Sequence, residues 1–154
     1  MDLGTLVGTA MGAIVGVGTT MLAERSRWKR DQSSREQSVK RQLYGEYLTA
    51  LSLTTHQLRD LKRSSPLAPE DRVRQAGEIL GTGGTYGLRY QMLITAPEPL
   101  GHLADQAFEK LRDLRDRFDQ PDVRVDAGWS SAQTALSDAI EALRVAMKAD
   151  LKRS

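Results

Sequence analysis

Apolar residues recur at steps of three and four through four separate stretches of this 154-residue chain. The first reads Tyr44, Tyr47, Leu51, Thr54, Leu58 and Leu61. The second reads Val73, Ala76, Leu80, Gly83, Gly87, Tyr90 and Ile94. Leu100, Ala104, Ala107, Leu111, Leu114 and Phe118 form the third, and Leu136, Ile140, Leu143, Met147 and Leu151 the fourth. This spacing puts side chains on one face of a helix, whereas a strand needs a period of two, and no such run is present. Helices with one apolar stripe each must bury those stripes together. The spacing therefore predicts an all-α fold, with an antiparallel bundle of about four helices over residues 42–154. The same spacing admits an intermolecular coiled coil along part of its length.

Local signals set the helix ends. Ser64-Ser65-Pro66 closes the first helix near Arg63, although Gly45 weakens it by about 1 kcal/mol relative to Ala. Pro69 or Glu70 opens the second, with Glu70 and Asp71 facing the positive helix end. Its middle, GTGGTYG at 81–87, admits a local break, a close helix crossing or a ligand loop. Because the apolar period runs through the glycines, a continued but distorted helix is expected. Thr95-Ala96-Pro97-Glu98 reads as a capping box opening the third helix. Gln120-Pro121-Asp122 ends it, and 122–128 reads as a polar connection. The last helix is capped by Ser130 with Gln133, or by Asp126 one turn earlier. Lys148, Lys152 and Arg153 suit its negative end.

Residues 3–23 carry no charge and contain five Gly and four Thr. As a helix they would span about 31 Å, enough to cross a hydrocarbon core of about 30 Å. A cleaved signal peptide fits poorly, because Asp2 precedes the run and no small-x-small site ends it. The basic excess follows the run instead: residues 25–41 hold seven cations against Asp31 and Glu36. The remainder, 42–154, is close to neutral, with 15 basic and 16 acidic residues. Three parts are expected: a transmembrane anchor at 1–23, a basic juxtamembrane stalk at 24–41, and a cytoplasmic bundle at 42–154. The positive flank places the N-terminus outside and the bundle inside a cell (inner) membrane, as a single-pass protein. Arg25, Arg27, Trp28, Lys29 and Arg30 are the candidate interface residues, with the cations against anionic lipid headgroups. No Gly or Pro lies between Thr19 and Tyr44, so anchor and stalk are expected to be one helix.

Gly4, Gly8, Gly12 and Gly16 fall every fourth residue. Successive glycines then drift only about 40° around a helix and form one flat face. In lipid such a face lets two backbones approach closely, so self-association into a homo-oligomer is expected. A phosphate loop is not indicated: Gly16-Val17-Gly18 lacks the third Gly of G-x-G-x-x-G, and no G-K-[ST] follows.

Signals for chemistry are sparse. The chain has no Cys, which removes disulfides and thiolate metal sites. His56 and His102 lie on different helices. A metal at His102 would need Asp105 or Glu109 plus ligands from elsewhere, so neither a metal nor a cofactor is expected. No G-x-S-x-G is present. The basic segment 25–41 has a single aromatic, Trp28, and its place beside an apolar span favours lipid over nucleic acid. The chain is not expected to be an enzyme.

The stretch YQMLITAPEPLGHLADQAF, residues 90–108, joins an apolar helix end, a short Ala-Pro turn and a helix rich in small residues. With the N-terminal features it resembles an arrangement common among uncharacterised bacterial single-pass membrane proteins that carry a small cytoplasmic helical bundle. That resemblance is architectural; it implies no activity and transfers no functional residue. The expectation is a membrane-tethered interaction or scaffold protein with an unidentified protein partner. The alternatives are a holin-like pore or lysis protein, and a ligand-binding bundle centred on GTGGTYG.

Overall fold

The structure is a computed structural model that describes residues 35–63 and 67–153. The chain divides into two units, 1–38 and 39–154. Of the first, only 35–38 are described, and these are helical. Among the described residues every regular element is a helix and no strand occurs. Residues 35–63 form α1. They are followed by α2 (Pro69–Thr82), α3 (Thr85–Thr95), α4 (Glu98–Asp116), a 3-10 turn (Arg117–Asp119) and α5 (Gly128–Arg153). None of these helices is long and apolar enough to cross a membrane.

Side-chain pairs fix the helix directions within 39–154. Tyr44 donates to Asp150 at 2.8 Å, and near the other end of α1 Lys62 sits 4.8 Å over the ring of Trp129. Helices α1 and α5 are therefore antiparallel. Helices α3 and α4 also run antiparallel, since Arg89 meets Asp105 while Tyr86 packs edge-on against Phe108 at 4.7 Å. Arg117 grips Asp126 just before α5, so the chain reverses between α4 and α5. Arg72 near the start of α2 reaches Asp122 at 3.7 Å. The result is a bundle of four arms, with α2 and α3 together making one of them.

Three of the expected stripes form the core. All six first-stripe residues, Tyr44 to Leu61, are buried, as are all six of the third, Leu100 to Phe118. In the fourth stripe Leu136, Leu143 and Met147 are buried, and Ile140 and Leu151 pack against them partly exposed. Two buried tyrosine hydroxyls are satisfied: Tyr44 by Asp150, and Tyr47 by the carbonyl of Ala104 at 2.8 Å. Burial pushes both phenols well above their ordinary pKa, and for Tyr44 the Asp150 carboxylate adds to the rise.

The second stripe holds to Gly83, which lies against α1. The helix breaks at Gly83–Gly84, and Gly84 takes a left-handed φ of 72°. Gly83 lies so close to α1 that an added Cβ would collide with Thr54 Oγ1. The chain then restarts in a new phase. Thr85 and Met92 turn inward and Leu88 packs partly buried, whereas Gly87, Tyr90 and Ile94 are exposed. The expected continuous helix with one unbroken stripe is thus corrected: a left-handed residue resets the rotational register, which a count of spacings cannot register.

The caps differ in part. No capping box opens α4, because Thr95 is still the last residue of α3 and Pro97 occupies the cap without a side-chain hydrogen bond. Of the two caps expected for α5, Asp126 is the one used: its Oδ1 accepts from the backbone N–H of Gly128 at 3.1 Å. Gln133 instead accepts from Trp129 Nε1 at 3.1 Å. The connection expected to be polar also contributes Val123, fully buried in the core.

Candidate functional site

Gly4, Gly8, Gly12, Gly16, Arg25, Arg27, Trp28, Lys29 and Arg30 all lie outside the described residues, as does the anchor expected at 1–23. Two surface features of the bundle stand out instead.

The first is the outer face of α3. Tyr86, Tyr90, Leu93 and Ile94 share one face at helical spacing. Ile94 is 85% exposed, Tyr90 57% and Leu93 41%, high values for residues of this size. The only charged residue of α3, Arg89, turns inward: it is ion-paired with Asp105 and its guanidinium carbon lies 4.9 Å over the Phe108 ring. The strip residues themselves are uncharged, and the one cation beside them, the Arg89 guanidinium 5.4 Å over the Tyr90 ring, is already paired with Asp105. Its edge touches the core, where Tyr86 packs against Phe108, but Thr85, Leu88 and Met92 supply the inward face of the same helix. Periodicity alone placed Tyr90 and Ile94 inside the bundle. The signal pointing outward was the run of glycines that resets the phase.

The second feature is a cleft of about 410 Å³ lined by Arg59, Lys62, Arg63, Arg124, Trp129 and Gln133. Three of its cations come from the last turn of α1 and one from the loop before α5. Arg124 is tied to Asp122 by Nε donation at 3.0 Å, an interaction that holds the Asp122 carboxyl below the usual carboxylate range. Among the described residues Arg59 and Arg63 form no ion pair, and Lys62 lies over the Trp129 ring, near enough to Asp126 for its charge to help lower that carboxyl without a close ion pair. The Arg59 Nε is shielded from solvent and has no hydrogen-bond partner within the protein. The sequence reading missed this cleft because its parts are separated by more than sixty residues. The local signal, the basic run of RDLKR at 59–63, is weak alone.

Elsewhere, His56 faces Asp60 and His102 faces Glu98, each on an exposed helix turn. Among the described residues no group of three or more His, Asp or Glu converges as a metal site. In GTGGTYG, Gly83 makes room for α1 and Gly84 makes the joint between α2 and α3. Gly83 thus has a packing role and Gly84 a conformational one. Comparison with protein-family models, curated proteins and solved structures gave no match.

Proposed function

We propose that this chain is a membrane-tethered helical interaction protein that associates with copies of itself. Residues 3–23 serve as the anchor, the basic stalk meets the lipid headgroups, and the bundle works on the cytoplasmic side of the membrane. The uncharged span and its one-sided basic flank support the tether. The observation that carries the interaction role is the α3 strip. It exposes Tyr90, Leu93 and Ile94 around a core that other residues complete.

The occupant that best fits the strip is a second copy of the chain. A two-fold contact sets a surface against itself, so an unpaired charge near the axis meets its own copy. This strip has none. The Gly-x-x-x-Gly face offers a second contact between copies, in lipid.

Carbonate extraction of cell membranes tests the tether. The full chain should stay in the pellet, and its release into the wash would overturn the anchor. Cross-linking in the same membranes tests association: dimers should form with the natural chain, and recovery of monomer alone would overturn self-association.

A further inference from the structure

We infer that the cleft between the end of α1 and the start of α5 binds a phosphate-bearing anion. Four cationic side chains, Arg59, Lys62, Arg63 and Arg124, line one opening with Trp129 and Gln133. Elsewhere among the described residues Arg74, Arg89, Arg117 and Arg144 are neutralised by Asp71, Asp105, Asp126 and Glu141, and the arginines there without an ion pair, such as Arg41 and Arg112, stand singly exposed to solvent. In the cleft only Arg124 has such a partner. Cations at a helix C-terminus complement its dipole, which accounts for Lys62 and Arg63. It does not account for Arg124, which arrives from another segment. Nor does it account for the Arg59 Nε, a charged donor shielded from water without an acceptor. Such donors are costly to leave unmade.

Guanidinium groups present paired N–H donors that match the oxygens of a phosphate. A single phosphate engages one or two of them; three guanidinium groups and one ammonium suit two or three linked phosphates. The volume lies at the small end of ligand pockets, about 300–1,000 Å³. Trp129 lines the cleft, with Lys62 4.8 Å over its ring and its Nε1 donating to Gln133. The recognised chemistry is accordingly anionic oxygen rather than a stacked base. Phosphates of this kind occur free or in lipid headgroups. Lys40 and the cleft lie toward opposite ends of α1, about 30 Å apart at about 1.5 Å per residue.

Trp129 reports occupancy. The chain has two tryptophans, so Trp28→Phe leaves Trp129 alone. The full chain carrying that substitution is titrated with tripolyphosphate, with sodium chloride matched for ionic strength as the control. Trp129 emission should change saturably with tripolyphosphate and not with chloride. Arg59→Gln with Arg63→Gln should weaken the response at least ten-fold. Arg63→Glu alone, at an exposed site, should weaken it too, and an unchanged circular-dichroism melt shows that the bundle is intact. A second arm places the chain in nanodiscs of phosphatidylglycerol or phosphatidylcholine. A Trp129 change with phosphatidylglycerol that the Arg variants abolish assigns the phosphate to lipid; a response confined to tripolyphosphate assigns it to a free ligand. No response in either arm overturns the inference. So does a response that chloride reproduces or that the Arg variants leave intact. The proposal is independent of self-association, because none of these readouts depends on it.

Discussion

Three glycines within four positions show how differently one residue type can be used. Gly81 lies in α2 with open space where a Cβ would go. Gly83 faces Thr54 Oγ1 and lies 3.0 Å, measured from an added Cβ, from its own Ile79 carbonyl. Gly84 has open space but a φ of 72°, where an L side chain is strained. Their alanine variants should therefore order themselves. Gly81→Ala should stabilise the bundle by up to about 1 kcal/mol, because Ala is the better helix former. Gly84→Ala should destabilise it by about 1–2 kcal/mol through left-handed strain. Gly83→Ala should cost about 1–3 kcal/mol, as overpacking against a buried neighbour does. Urea unfolding of the three variants checks the signs. A stabilising Gly83→Ala would mean that α1 and α2 do not approach as described.

At the scale of elements, how well a helix could be read from sequence depended on whether anything interrupted its phase. In α1 and α4 no joint intervenes before the stripe ends, and every residue from Tyr44 to Leu61 and from Leu100 to Leu114 that periodicity put inside is buried. In the α2–α3 arm the same reasoning failed beyond Gly83, because Gly84 rotates the next helix and exchanges Tyr90 and Ile94 for Thr85 and Met92. Loops were legible only in part. Composition gave 122–128 as polar, and it could not show that Val123 plugs the core or that Asp126 ties two elements together. That tie makes a pH prediction. The Arg117 guanidinium donates to Asp126 and holds its carboxyl below the usual range, with the Gly128 N–H adding to the effect. A carboxyl lowered in the folded state contributes stability above its unfolded pKa of about 3.9, and loses it as pH falls toward the folded value. In thermal melts the natural chain should exceed Asp126→Asn by a constant margin from pH 8 to pH 5. The margin should shrink below about pH 4. A margin that grows on acidification would reverse the assigned role.

For the whole molecule, the proposed self-association has two candidate routes, the bundle and the glycine face, and substitution can separate them. Leu93→Asp with Ile94→Asp places two carboxylates on the α3 strip. Ile94 is 85% exposed, and surface substitutions of that kind usually cost within about 0.5 kcal/mol. Leu93 lies beside Gly101 of α4 and carries some folding cost, so a urea melt accompanies the pair to show that the bundle persists. In a two-fold contact through this strip the new charges of one copy would face those of the other, and like charges brought together at an interface cost several kcal/mol. Dissociation of the bundle contact is the expected result. Gly8→Leu with Gly12→Leu leaves the strip intact and places bulk where close helix approach in lipid needs none. Light scattering in mild detergent and cross-linking in membranes then read the two variants side by side. The Asp pair should abolish cross-links between bundle residues, such as cysteines introduced at Gln91, while the Leu pair should abolish those between cysteines at residues 5 or 9. If the Asp pair leaves the Gln91 cross-links intact, the α3 strip is not where copies meet, and a different protein is then the occupant to seek for Tyr90, Leu93 and Ile94.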